Sequence, residues 1–348
     1  MALNRWTRRS LLASAIGGGC SRPHGKPVLT VFTWAGPWGQ TFERVLKPLF
    51  EKATGATVLF DNGWGEEIPK LLIAPPDQPP YDVMIVAPFA VYAVIRRGYF
   101  QKLDWRKIPN ARLFHPSALR NWVFEGDWGL TWPDALHTGI YNIAATSRPQ
   151  NWAEVLERRP GFYRASYMSL YTFAAARYPG RAAQALAEDF EANFAFAHEQ
   201  RRKVAHWWTT SPDMAFNLLQ GNVKVGNIHS VDTFGLLREQ RSLDIFLTDD
   251  RAHFQAIWLV PRGTRNSELA HEFINQFAGM EFQREYAAAG FPSPIPEVAA
   301  AQALRDPLWA RVNPHSDADF NKLHYYPYDT YLRHWDDMTE RWNQEVLV

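Results

Sequence analysis

Residues 28–60 read VLTVFTWAGPWGQTFERVLKPLFEKATGATVLF. Val28–Trp34 alternates as a strand does, and Gly36-Pro37 breaks it. Phe42, Val45, Leu46, Leu49, Phe50 and Ala53 then recur on one face at helical spacing. Pro48 is expected to bend or restart that helix, and Gly55 is a natural left-handed stop. Ala56–Phe60 resumes as a strand. Strand, helix and strand in so short a stretch argue an α/β sheet, whose ligand crevice lies at the carboxyl ends of its strands.

The rest of the chain continues the alternation. A short helix closes at Leu71–Ile73 before a proline-rich loop, Pro75–Pro80. Tyr81–Val86 is a continuous apolar run of the kind buried on both faces, and a helix over Phe89–Arg97 ends at Gly98. Further strands are expected at Phe162–Ser166, Val223–Ile228, Leu243–Leu247 and Gln255–Val260. Helices are expected around Leu170–Arg177, over Ala185–Arg202 and Pro212–Gln220, from Glu268 to Phe277 and over Tyr331–Glu345. There is no low-complexity tract and no solenoid repeat.

The chain opens with a different signal. Thr7-Arg8-Arg9-Ser10-Leu11-Leu12 precedes a brief apolar run that ends at Gly17-Gly18-Gly19-Cys20. A twin arginine before a weakly hydrophobic stretch reads as a twin-arginine export signal, residues 1–19. The stretch is far short of the roughly 20 apolar residues that span a bilayer. Cys20 is the chain's single cysteine, and it sits where a lipoprotein leader places its acylated residue. Residues 20–27 are then a linker and candidate lipid anchor, and a periplasmic location follows.

Without residues 1–19 the body carries 34 basic against 36 acidic residues, a balance with no footprint for nucleic acid. No disulfide is open to it, so stability must come from core burial, for which about 330 residues are ample for two domains. With 15 Trp, 13 Tyr and 22 Phe, several tryptophans fall in expected loops, where core packing is not the default explanation.

Six stretches then occur in a telling order: Leu46–Gly55, Tyr81-Asp82-Val83, Gly98–Asp104, Gly221–Gly226, Ala270–Asn275 and Gly290-Phe291-Pro292-Ser293-Pro294. Across residues 28–345 this order resembles the periplasmic solute-binding proteins of ATP-driven (ABC) importers, in the branch of the spermidine/putrescine binders. The resemblance implies a type II periplasmic-binding fold, two α/β lobes joined by crossover strands near Trp132–Asn142 and Phe254–Val260. Lobe one would be 28–139 with 256–300, lobe two 140–255, and 301–348 a helical, aromatic tail packed on the lobes. It also implies hinge closure on a small solute, delivery to a permease with its ATPase, a monomeric state and no cofactor.

Loops at the carboxyl ends of strands supply the candidate ligand contacts: Trp34, Trp38, Trp64, Phe89, Trp132, Asp134, His137, Trp208, His229, Asp232 and Phe254. Trp34 and Phe89 match aromatic ligand-contacting positions of the polyamine binders. A polyamine binder's second-lobe tryptophan is replaced by His229 and its aspartate before the return strand by Ala256, and Ala165–Ser169 lacks the expected acidic pair. An aromatic box of this kind suits a cationic or zwitterionic nitrogenous solute other than a polyamine, with each cation–π contact worth about 0.5–2 kcal/mol.

Three other readings remain: a ferric binder using Tyr325-Tyr326, a sensing module on the same fold, and a fold-related enzyme. For the last, no thiol lies in the body, and there is no Gly-x-Ser-x-Gly elbow or P-loop. The eleven histidines show no metal-ligand spacing.

Overall fold

The computed structural model describes residues 26–348. The export-signal reading and Cys20 lie outside the described residues. Ten strands are present: β1 Val28–Trp34, β2 Thr57–Gly63, β3 Val83–Val86, β4 Phe100–Gln101, β5 Gly129–Asn142, β6 Gly161–Tyr163, β7 His206–Trp208, β8 Val225–His229, β9 Leu243–Phe246 and β10 His253–Pro261. Their order across the sheet is β2-β1-β3-β10-β5-β8-β6-β7, with β4 beside β10 and β9 beside β5.

This single path has two halves. In the first, β2, β1 and β3 run parallel and β10 returns antiparallel. In the second, β7, β6 and β8 run parallel, and β8 and β9 each pair antiparallel with β5. The long strand β5 belongs to both. Its residues Gly129–Leu136 pair with β10, and from His137 onward it pairs with β8 and β9. The chain therefore crosses between halves at Leu136–His137, inside the segment the sequence marks as a crossover. It returns along β10, whose register slips between Phe254 and Gln255.

The opening βαβ unit forms as its pattern requires. Phe42, Leu46 and Phe50 are fully buried, and Gly55 ends the helix at φ 72° with its N–H on the Glu51 carbonyl. Pro48 does not break the helix. The turns before it widen to a π-helix over Phe42–Leu46, and the α-helix resumes at Lys47–Thr54. The helix expected over Ala185–Arg202 is two helices, Ala182–Glu188 and Phe190–Gln200. Asp189 stops the first at φ −150° and caps the second by accepting the Ala192 N–H at 2.9 Å. Apolar periodicity carries across this break, which is why it reads as one helix.

The segment 280–312 holds three helices that the sequence reading leaves unassigned: Met280–Ala288, Pro296–Arg305 and Pro307–Val312. The C-terminal helix Tyr328–Arg341 packs on Pro88–Arg96 of the first half and on Ser166–Arg177 of the second.

Candidate functional site

Parallel strands present their carboxyl ends together, so the residues that follow them share an edge. In the first half β1 ends on Trp34, level with Gly63 of β2, and Trp64 follows. Phe89 opens the helix after β3. In the second half β6 ends on Tyr163, β7 on Trp208 and β8 on His229. Phe254, at the register slip of the return strand, lies where the halves meet. Its ring centroid is 5.7 Å from Trp34, 6.1 Å from Phe89, 5.9 Å from Tyr167 and 5.7 Å from His229.

Around this ring the aromatic field is continuous. Trp64 stacks on Trp34 at 6.2 Å and 7°, and Trp38 meets both edge-on at 5.9 and 5.6 Å. Trp208 joins through Tyr163, stacked at 4.4 Å. Trp64 is 59% exposed whereas Trp34 is only 5% exposed, so Trp64 is the ring of this network most open to solvent. Trp34, Trp38, Trp64, Phe89, Trp208, His229 and Phe254 thus fall in one network. Tyr163 and Tyr167 belong to it without having been singled out in the sequence. Their signal was a pair of tyrosines four apart where a strand passes into a helix.

Three candidates lie deeper. Trp132 is fully buried, packed on Phe277 at 4.5 Å and Trp258 at 5.9 Å, because β5 is buried on both faces. His137 is enclosed by Trp152, Tyr171 and Tyr326 with Nε2 3.1 Å from the Thr172 hydroxyl. Burial drives its pKa down to about 3.

Asp134, fully buried, accepts from Trp38 Nε1 at 2.8 Å, Trp132 Nε1 at 3.2 Å and the Tyr286 hydroxyl at 2.6 Å. Burial raises its carboxyl to about 6 against those three donors. Both its oxygens are occupied, so it anchors Trp38 from behind the wall.

Asp232 differs. It lies in the first turn of the helix Ser230–Glu239, half-buried, and its charge is felt by Tyr163 and Tyr167. Burial raises it to about 6, opposed by the Ser211 side chain. His229 holds the Tyr167 hydroxyl at 2.9 Å through Nε2. Its Nδ1 is buried without a partner, and burial lowers the ring's pKa to about 4.

The Tyr325-Tyr326 pair diverges. Tyr325 donates to the Ser117 carbonyl at 3.2 Å, while Tyr326 packs among Tyr167, Tyr171 and His137. The two hydroxyls do not converge on one ion.

No family model matches the sequence, and a search of curated proteins returns no match. Solved structures do match. An ABC transporter substrate-binding protein from Bradyrhizobium japonicum USDA 110 superposes with a TM-score of 0.75 at 17% identity, covering 92% of this chain and 99% of that one. The protein MotA from A. tumefaciens B6, in complex with glucopine, gives 0.74 at 14% identity over 92% of this chain and 100% of that one. The spermidine/putrescine substrate-binding protein PotD of Streptococcus pneumoniae gives 0.68 at 14% identity, over 92% and 100%.

The chain has the fold of the ABC-transporter substrate-binding proteins. The halves of the sheet are the lobes of that fold, and β5 and β10 are its crossovers. The return crossover is tied to the C-terminal segment. The Gln255 N–H, freed by the register slip, donates to the Tyr328 hydroxyl at 2.9 Å, and the Gln255 side chain accepts from Asn121 at 2.7 Å. Beside it the His253 N–H donates to the His324 carbonyl at 2.7 Å. Across the lobes, Phe89 lies between Trp335 (4.4 Å, 16°) and Tyr167 (4.9 Å, 31°).

Proposed function

We propose that the protein is the extracytoplasmic solute-binding component of an ABC importer. It captures a small nitrogenous solute between aromatic walls and hands it, lobes closed, to a permease driven by an ATPase. The observation that carries this reading is the ring network around Phe254. Both lobes contribute to it, at the carboxyl edge of the strands and beside the two crossovers, where hinge motion opens or covers it. The fold shared with MotA and PotD supports it. On this reading lobe one is 28–139 with 256–300, lobe two is 140–255, and 301–348 is the tail. The protein binds without turnover and works as a monomer.

Of the acids the sequence offered, Asp134 is sealed from solvent, with three donors on its two oxygens. Asp232 is only half-buried, which favours a cationic or zwitterionic solute held by that carboxylate and by cation–π contact with the wall.

A thermal-shift screen of amines, amino acids, opines, phosphonates and thiamine-like compounds tests the reading. A true solute at about 100 times its Kd stabilises the protein by about 2.7 kcal/mol. If no compound shifts the melt and small-angle scattering shows no compaction with any of them, the reading fails. Because Trp64 is largely exposed, Trp64→Ala is expected to change stability by less than about 1 kcal/mol. It should weaken solute binding at least tenfold, about 1.4 kcal/mol, as calorimetry would read. Equal affinity would remove Trp64 from the wall.

Export through Arg8 and Arg9, with lipidation of Cys20, completes the reading. Replacing both arginines by lysine should leave the precursor in the cytoplasm, which fractionation and immunoblotting would show. Normal export of that variant would refute the twin-arginine route.

A further inference from the structure

Glu67 was not among the residues singled out by sequence. It opens the helix Glu67–Ile73, directly after Trp64-Gly65-Glu66, at the edge where β1 and β2 end on Trp34 and Gly63. It is only 4% exposed, and its Oε2 is buried with no hydrogen-bond partner.

The charges around it are committed elsewhere. Lys70, one turn along the helix, pairs with Asp61 at 2.9 Å, and the Tyr81 hydroxyl donates to the same Asp61 oxygen at 2.6 Å. Glu66 accepts the Trp64 N–H at 2.8 Å. Burial raises the Glu67 carboxyl and Glu66 adds to the rise, while the amides of Glu67 and Gly65 and the Lys70 charge pull the other way.

A buried carboxylate without a partner is costly and persists in a fold only when something offsets it. Here it follows by three residues Trp64, the exposed ring that stacks on Trp34. We propose that Glu67 is the first-lobe carboxylate that receives the protonated nitrogen of the solute, across the cleft from Asp232. This rests on the solute-trap reading and deepens it. The solute carries at least one ammonium or amidinium group, and closure moves that group out of water against Glu67 Oε2 as a charge-assisted hydrogen bond. The site gives up folding stability to keep this acceptor free.

The test compares the wild-type protein with Glu67→Gln, which keeps the volume and removes the charge. Melting at pH 7.5 is followed alone and with putrescine, choline, 4-aminobutyrate and the uncharged 1,4-butanediol. At least one amine is expected to raise the wild-type Tm while the diol does not. Glu67→Gln alone is expected to melt several degrees higher than wild type, and to bind that amine at least 30-fold more weakly by calorimetry.

A lower Tm for Glu67→Gln would mark the carboxyl as structural and overturn the assignment. So would unchanged amine affinity in the variant, or a wild-type protein that none of the amines stabilises. In that last case the solute-trap reading is judged separately, by the uncharged and anionic members of the wider screen.

Discussion

Acidification from pH 7 to pH 4 is expected to cost the folded protein up to roughly 5 kcal/mol, a large part of an ordinary domain's stability. Two buried histidines, His137 and His253, and the half-buried His229 drive the loss. His137 is held to about 3, and His229 and His253 to about 4, all by burial first. His253 Nδ1 faces the His324 carbonyl at 3.3 Å, and its Nε2 has no partner.

Each ring stays neutral when folded but binds a proton below about pH 6.5 when unfolded. The unfolded chain thus takes up more protons. Stability is complete above pH 6.5 and falls as the pH drops toward the folded values. For three rings, the loss by pH 4 is roughly 10 kcal/mol at 1.36 kcal/mol per unit.

Asp134 and Asp232 act in the opposite sense. Both are raised to about 6, so the folded state binds more protons between pH 6 and 4, and acidification returns roughly 5 kcal/mol. Glu67 and Asp250, also raised by burial, return a further share, and the histidines set the sign of the net loss. Urea melts at pH 7, 5.5 and 4 should show the midpoint falling steadily, and His253→Gln should flatten the slope. A midpoint that holds or rises between pH 6.5 and 4 would contradict the burial of these rings.

Asp134→Leu is expected to destabilise the protein by about 3 kcal/mol at pH 7.5. It leaves two indole N–H groups and the Tyr286 hydroxyl buried without their acceptor, each costing about 1–3 kcal/mol. Relief from burying a charge, which is what raises this carboxyl to about 6, offsets part of that. Asp134→Asn keeps one acceptor oxygen and should lose about half as much.

The wall should also respond, because Trp38 loses the carboxylate that orients it against Trp34 and Trp64. Denaturant melts and tryptophan emission together check this. A Leu variant as stable as wild type, with unaltered emission, would show that the three hydrogen bonds hold nothing in place.

How much of this was readable from residues alone depends on range. The βαβ opening was legible because strand alternation, an apolar helical face and a terminal glycine all act within a few residues. The aromatic edge was legible wherever a side chain sits at the end of a strand, as Trp34, Phe89 and His229 do. Trp132 was harder. It occupies a strand buried throughout, and nothing local separates a tryptophan in such a strand from one in a crossover loop.

Asp189 ends a helix by a cap that apolar periodicity conceals. Glu67 looks in sequence like an ordinary acid in a first helical turn, favoured there by the helix dipole. Only the fold reveals that its carboxyl is enclosed. Trp335 has no local signal, since its partner Phe89 is brought to it by tertiary packing.

The stacking of Trp335 on Phe89 ties the C-terminal helix to one ring of the aromatic network. A trap that must first shut has its intrinsic dissociation constant divided by the shut fraction, and that factor is common to every guest. On the solute-trap reading, a change at Trp335 that alters only the shut fraction would scale all dissociation constants together.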